Sequence, residues 1–267
     1  MRIICLVIFV WVSGSLFSQE KHWKQEHFYK SKAIDAWDVD PMGKLILAER
    51  DVLVKLDTSF KVQFTQSTKQ LGEVAILDAA HSLKTLVFSE LQQYVSFVDN
   101  TLTFQEGNKD LSSYNVAYAT NVGYSNQTNR FWVYDGDNAQ ILLIDETGNQ
   151  ISTINNLSSI TGAVQPKDLF ERDNELMLFY EGVGTFFFDY YGSLISNFPM
   201  EEASAVHFNK DHIYFILDNK VIKVDRKTEQ REEFEMPDQE ILGIRVHGNA
   251  IFLEVPEGIK KYSLIPN

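Results

Sequence analysis

Five aspartates recur along this chain at nearly even spacing, each at the end of a run of alternating apolar and polar residues. They are Asp57, Asp99, Asp145, Asp189 and Asp225. Their separations, by subtraction, are 42, 46, 44 and 36 residues. Carboxylates can share a hard cation, or each can accept a hydrogen bond from a backbone N–H two residues later and close an Asx-turn. We predict the turn, because a short polar stretch and a second strand-like run follow each aspartate, as in ILLIDETGNQISTI (141–154).

Motifs for the common catalytic chemistries are missing from the sequence. It has no glycine-rich phosphate loop, no His-Glu-x-x-His and no Gly-x-Ser-x-Gly, and its one cysteine is Cys5. The segment YDGDN (134–138) resembles part of a calcium loop, but the spaced acids and the final Glu are absent, so a hairpin turn is favoured. The histidines at or near strand ends are interpreted as partly exposed polar residues rather than as ligands or bases: His81, His207 and His247.

The N-terminal residues and the net charge limit where the protein acts and what it binds. Residues 1–18 contain one basic residue, an apolar run and then small polar residues, which predicts a signal peptide. The mature chain, residues 19–267, is then a single cysteine-free domain with no transmembrane segment. The net charge of −13, which becomes −14 without Arg2, disfavours nucleic acids and anionic membranes as partners.

The repeated aspartate marks a larger repeat of about 40 residues. Each copy contains four strand-like runs; in the first copy, AIDAWDVD and KLILAE precede LVKLDTSFKVQF. Valine, isoleucine, phenylalanine and tyrosine fill these runs at period two, and no apolar face recurs at helical spacing. The predicted fold class is therefore all-β, a six-bladed β-propeller with four-stranded blades.

The sixth copy of the repeat is one strand short. It contains ILGIRVHG, AIFLEV and IKKYSLIPN, whereas HWKQEHFYKS (22–31) precedes the first complete copy and has no blade of its own. We predict that this N-terminal segment supplies the outer strand of the last blade. Closure of that kind removes the open sheet edge of an unfinished ring.

The segment AWDVDPMGKLILAE (36–49) resembles the strand–Asp–x–x–Gly–strand segment of NHL and gluconolactonase-like six-bladed propellers, and VxxxDxxG recurs in the wider YncE-like group. This resemblance implies architecture more than activity. Its gluconolactonase-like members imply the alternative function, a metal-dependent lactonase or hydrolase with a divalent cation on the propeller axis. Inner-strand candidates for its ligands are Asp35, Asp78, Asn121, Asp168, Glu171 and Asn209.

The junction Ser18-Gln19 is similar to the cleavage site of exported proteins of the Bacteroidota. That resemblance implies an exported protein located in the periplasm or on the periplasmic side of the outer membrane.

The turns between the second and third strands of all six blades should emerge on one face, and every one of them contains an acid. We call this the acidic face, and its acids are Glu49, Asp51, Glu90, Asp135, Asp137, Glu181, Asp218 and Glu257. The turns on the opposite face hold Lys44, Lys84, Arg130, Arg172 and Lys210. A ring of acids attracts a cation or a basic surface. We therefore predict a non-enzymatic binding or scaffold propeller of the cell envelope, without a cofactor, whose acidic face engages an envelope protein or a small ligand.

Overall fold

The structure, a computed structural model, describes residues 22–162, 165–238 and 240–265. The predicted signal peptide lies outside these residues. Within them the chain has almost no helix, and its strands form six four-stranded antiparallel sheets, the blades of a propeller. The predicted fold class is confirmed. No helix in this part of the chain is long and apolar enough to cross a membrane.

The strands follow one another blade by blade in chain order. The N-terminal strand is β1 (His22–Lys30). The first blade contains β2 (Ile34–Val39), β3 (Leu45–Glu49), β4 (Val52–Leu56) and β5 (Val62–Ser67). The second blade contains β6 (Ile76–His81), β7 (Lys84–Ser89), β8 (Tyr94–Asp99) and β9 (Phe104–Asp110). The third blade contains β10 (Ala119–Tyr124), β11 (Arg130–Asp135), β12 (Gln140–Asp145) and β13 (Gln150–Ile154).

The remaining blades repeat this order. The fourth blade contains β14 (Asp168–Arg172), β15 (Glu175–Tyr180), β16 (Gly184–Phe188) and β17 (Leu194–Pro199). The fifth blade contains β18 (Ala205–Phe208), β19 (His212–Leu217), β20 (Lys220–Asp225) and β21 (Arg231–Glu235). The sixth contains β22 (Gly243–His247), β23 (Ala250–Val255) and β24 (Gly258–Ile265). A 3-10 helix (Leu111–Tyr114) and α1 (Leu157–Thr161) connect blades two to three and three to four.

The N-terminal strand completes the sixth blade. β1 lies antiparallel to β24, with residues 22–30 opposite 258–265, which confirms the predicted closure. Gly258 makes this pairing possible, because it has a φ of +142° and an added Cβ would lie 2.0 Å from the carbonyl oxygen of Tyr29. Only glycine allows the two backbones to approach so closely.

Apolar layers between neighbouring blades form the core. The outermost strand of a blade has no neighbour on its outer side, so β16 is buried throughout while β17 is largely exposed. Among the described residues, six clusters of buried side chains alternate with the six blades. One of them packs Trp37 and Leu47 of the first blade against Phe252 and Ile259 of the sixth. The hydrophobic layer therefore continues across the closure.

The first strand of each blade lies nearest the propeller axis. β2, β6, β10, β14, β18 and β22 contact their counterparts in neighbouring blades. In β2, Ile34 lies opposite Glu49 and Val39 lies opposite Leu45. The start of each first strand is thus at the acidic face, and its end is at the opposite face.

Candidate functional site

The central channel contains two cavities that are separated by one side chain. The cavity of about 230 Å³ is lined mainly by residues at the start and middle of the first strands, so it opens on the acidic face. The cavity of about 180 Å³ is lined by residues at the ends of the first strands and the turns after them, on the opposite side. Arg172 lines both cavities and lies between them. We call them the upper cavity and the lower cavity.

Two arginines and two aspartates form an ion cluster inside the channel. Nε of Arg245 donates to Oδ1 of Asp38 at 2.8 Å. Nη2 of Arg172 lies 3.4 Å from Oδ1 of Asp78 and 3.7 Å from Oδ2 of Asp38. Burial raises the pKa of Asp78 above its usual value, and the positive charge of Arg172 opposes that rise. The two acids hold the two guanidinium groups in place.

The same carboxylates also join neighbouring blades. Asp38 and Asp78 are only 2% and 4% exposed. Oδ2 of Asp38 accepts a hydrogen bond from the backbone N–H of Ala79 at 2.7 Å, and Oδ2 of Asp78 accepts one from Tyr124 at 2.8 Å. Each acid thus satisfies a backbone donor of the next blade while it neutralises an arginine, as a buried charge requires.

Aromatic rings support the cluster from the sides. The guanidinium of Arg245 lies 5.3 Å from the ring centres of both Trp37 and Phe170, within cation–π range. Nε1 of Trp37 donates to Oε2 of Glu254 at 2.7 Å. Burial raises the pKa of Glu254, and the Trp37 hydrogen bond and the charge of Arg245 oppose the rise.

Asp168 is the carboxylate of the upper cavity that remains available to accept a hydrogen bond from a ligand. It is half-buried at the start of β14 and accepts no hydrogen bond from any described residue. Burial raises its pKa, which Arg245 and Lys167 oppose. Nζ of Lys167 is engaged elsewhere, at 3.2 Å from Glu181 and 2.8 Å from the carbonyl oxygen of Ser204. The mouth of the upper cavity therefore presents an acid with capacity for a donor.

Most acids of the acidic face reach solvent. The exposed ones are Asp51, Asp137, Glu181, Asp218 and Glu257. Glu49 and Glu90 are half-buried and accept hydrogen bonds from the hydroxyls of Tyr29 and Tyr118, at 3.0 and 3.1 Å.

Asp135 differs from the other acids of these turns. It is fully buried and accepts hydrogen bonds from the backbone of Ala117 and Tyr118, at 3.2 Å each, and from Nδ2 of Asn138 at 2.7 Å. It holds the connection into the third blade and adds no exposed charge.

The five repeated aspartates lie at the turns between third and fourth strands. Oδ1 of Asp145 accepts from the backbone N–H groups of Thr147 and Asn149 at 2.9 Å each. Equivalent pairs of backbone bonds are made by Asp57, Asp99, Asp189 and Asp225. The slight burial of Asp145 raises its pKa, but the side chains and backbone of Thr147 and Asn149 outweigh this and lower it to about 2. The structure separates these acids, one per blade.

The structure brings three of the six candidate metal ligands to one cavity and separates the other three. Asp78, Asn121 and Asp168 line the upper cavity, and Nδ2 of Asn121 donates to the carbonyl oxygen of Pro166 at 2.9 Å. The others bind local donors: Asp35 accepts from the backbone of Arg50, Glu171 from Ser125 and Trp132, and Asn209 from Asp211 and His212. No group of three or more His, Cys, Asp or Glu side chains in the described ranges is arranged to hold a metal ion.

The histidines and the opposite-face bases have separate environments. His207 is buried beside the lower cavity, while His81 and His247 have substantial exposure. Lys84 pairs with Glu146, Nη1 of Arg130 donates to Tyr190, and Arg172 points into the channel. Lys44 and Lys210 remain at the surface. These bases do not form a continuous basic ring.

Sequence reasoning missed the ion cluster. The repeat pattern does not single out Arg245, and it places Arg172 in a surface turn. A signal was present for Arg245, because it lies between Ile244 and Val246 in a first strand, where a charged side chain needs a buried partner.

Comparison with solved structures supports the fold. A streptogramin B lyase structure is 13% identical with a TM-score of 0.65, over 92% of this chain and 98% of that chain. A catalytically inactive virginiamycin B lyase variant from Staphylococcus aureus with quinupristin is 12% identical with a TM-score of 0.60, over 92% of this chain and 100% of that chain. The computationally designed protein Ika8 is 14% identical with a TM-score of 0.54, over 87% and 71%. No protein-family model and no curated protein matches this chain. At these identities the similarity shows the propeller fold alone.

Proposed function

We propose that this protein is a non-enzymatic binding or scaffold propeller of the bacterial cell envelope, which engages a basic partner through its acidic face. The observation that carries the proposal is the upper cavity, which opens among the acidic turns and holds Asp168 with no hydrogen bond from any described residue. A lysine or arginine side chain of an envelope protein, or a small cationic ligand, fits that site.

The charge around the mouth supports a basic partner. The connections between blades emerge on the acidic face too, and they add the exposed acids Glu73, Glu201, Glu202 and Glu240. The exposed bases on this side include Lys32, Arg50 and Lys69. The surplus of acids on a rigid surface gives a negative potential, which raises the rate at which a basic partner associates.

Export to the periplasm, or to the periplasmic side of the outer membrane, is part of the proposal. It depends on the predicted signal peptide of residues 1–18 and on the resemblance of its cleavage junction. Cleavage is tested by N-terminal sequencing of the protein recovered from the envelope fraction. A protein that begins at Met1 and remains in the cytosol would contradict this location.

The alternative is a metal-dependent lactonase or hydrolase. Such an enzyme needs acids of the inner strands to be free to bind a cation on the axis. Here Asp38 and Asp78 are each bound to an arginine and to a backbone N–H. Two guanidinium groups thus occupy the central position, which favours the binding function.

The experiment compares two triple variants in capture from envelope extract at rising ionic strength. The acidic-face variant is Asp51→Asn, Asp137→Asn and Asp218→Asn. The matched control removes three exposed acids from the opposite face: Asp173→Asn, Asp211→Asn and Glu229→Gln. We expect the acidic-face variant to capture the partner poorly, with little dependence on ionic strength. The control should capture it as the parent protein does, with the same dependence on ionic strength.

A single Asp168→Asn variant tests the mouth itself and should weaken capture without changing the melting temperature. Equal capture by all folded variants would disprove the proposal. Metal analysis of the captured sample tests the alternative, because a stoichiometric divalent ion would favour the lactonase.

A further inference from the structure

The lower cavity contains a buried group that the acidic face does not use. His207 lies in β18 and is 7% exposed, and its Nδ1 has no hydrogen-bond partner among the described residues. Its ring borders the lower cavity together with Arg172 and His247. Buried polar atoms are almost always satisfied, so an unpartnered nitrogen beside a cavity indicates a missing hydrogen-bond partner.

The environment of His207 determines what that donor must be. Burial lowers the pKa of His207 well below its usual value, and the charges of Arg245 and Arg172 lower it further, while a hydrogen bond with the backbone of Val246 opposes this. The imidazole is therefore neutral. A neutral imidazole has one N–H donor and one acceptor nitrogen, so Nδ1 can accept an O–H or N–H group of a ligand when the proton is on Nε2.

Arg172 supplies the complementary group. Its Nη1 donates to the carbonyl oxygen of Glu171 at 2.8 Å and its Nη2 faces Asp78, but a guanidinium has five N–H donors. Asp40 also borders the lower cavity, and it is bound by Lys55 at 3.0 Å and by the backbone of its own turn. The lower cavity thus combines a cationic donor and a neutral imidazole with the carboxylates of Asp40 and Asp173.

We propose that the lower cavity binds a small hydroxycarboxylate, with its carboxylate at Arg172 and its hydroxyl donating to Nδ1 of His207. The volume of the lower cavity is about 180 Å³, well above the roughly 10–15 Å³ that a single bound water needs. A hydroxy acid of lactate size fits this volume. This site is separate from the acidic face, because Arg172 divides the channel.

The first test uses the unaltered protein and two probes, lactate and propionate, which differ by one hydroxyl. Binding is measured by calorimetry, and the ring nitrogens of His207 are followed by ¹⁵N NMR. We expect lactate to bind at least about fivefold more tightly, because only lactate satisfies the buried acceptor. The Nδ1 resonance should move with lactate and stay in place with propionate.

The second test changes the acceptor. His207→Phe removes Nδ1 but retains a ring against Phe170, which lies 6.2 Å from the His207 ring. We expect this variant to lose the preference for lactate. Asp168→Asn, at the other end of the channel, should keep the preference for lactate. Failure of the acidic-face proposal would therefore not affect the test of the lower cavity.

Several outcomes would overturn the proposal. Equal affinity for both probes, or no movement of the His207 resonances with either, would mean that solvent alone satisfies Nδ1. Unchanged preference in a folded His207→Phe variant would place the hydroxyl elsewhere. If that variant does not fold, the comparison of the two probes on the unaltered protein still decides.

Discussion

Asp38 of the first blade and Arg245 of the sixth form an ion pair of 2.8 Å although 207 positions separate them. The pair lies beside the closure of the ring, where the same two blades also share an apolar layer. Asp38 contacts Ala79 of the second blade as well. One carboxylate therefore links three consecutive blades at the channel.

Removal of that carboxylate should destabilise the whole domain. We expect Asp38→Ala to lower the free energy of unfolding by about 3–5 kcal/mol, because it leaves the charge of Arg245 without its closest partner. Urea denaturation measures the loss. Asp35→Ala, which removes an exposed acid of the same strand, is the matched control and should cost about 1 kcal/mol. A double variant with Arg245→Met should recover part of the stability, and no recovery would count against the pairing.

Deletion of β1 should open the ring. A chain that lacks residues 19–31 exposes the edge of β24 along its pairing register, and exposed strand edges promote association. We expect a lower melting temperature and the formation of oligomers, measured by calorimetry and light scattering. A chain that lacks only residues 19–21 serves as the control. A monomeric deletion variant that melts like the full chain would contradict the closure.

The turn aspartates should contribute modestly and separately. We expect Asp145→Ala and Asp189→Ala each to lower the free energy of unfolding by about 0.5–2 kcal/mol, by analogy with side-chain caps of helices. Asp145→Asn keeps one acceptor oxygen and should lose less. Thermal melts at neutral pH distinguish the three variants. An alanine variant that loses its partner but melts normally would show that these acids have a functional role.

Acid should weaken the Asp145 turn within a defined range. Its folded pKa of about 2 lies below the usual value of 3.8, so the unfolded chain binds the proton first as the pH falls. The stabilisation is present above about pH 4 and is lost as the pH falls toward 2. Asp145→Ala should therefore lose less stability than the parent over this interval in pH-dependent melts. If the stability of the parent and of Asp145→Ala fell in parallel with pH, the hydrogen bonds of Asp145 would not depend on its charge.

His207 should make the domain sensitive to mild acid. Its folded pKa lies well below the usual 6.5, so the unfolded chain gains a proton first and stability falls as the pH drops below about 6.5. We expect His207→Phe to reduce the change of the free energy of unfolding with pH between pH 6.5 and 5. His212→Gln, in the next strand and outside the channel, is the matched control. An unchanged slope in His207→Phe would assign the effect to other groups.

The blade count and the strand order could be predicted because they depend on local patterns, and the closure could be predicted because the last copy lacks a strand that the N-terminal segment can supply. Each repeat of about 40 residues shows its alternating runs and the Asp before its turn, and the last repeat is visibly short. The burial of Asp135 could not be predicted, because the sequence of its turn resembles that of the other turns. Its carboxylate nevertheless accepts hydrogen bonds from the backbone of Ala117 and Tyr118. The ion cluster depends on which residues meet across the channel, and no local pattern encodes that meeting.

The pairing of β1 with β24 also has a mechanical consequence. Residues 22 and 265 lie opposite each other at one end of the ladder, and residues 30 and 258 lie at the other. Tension applied to the two chain ends would load the pair at 22 and 265 first and then each following pair in turn. The β1–β24 ladder would therefore open one residue pair at a time, at a lower force than strands that are sheared along their length. The force that the domain resists thus depends on the positions at which the chain is held.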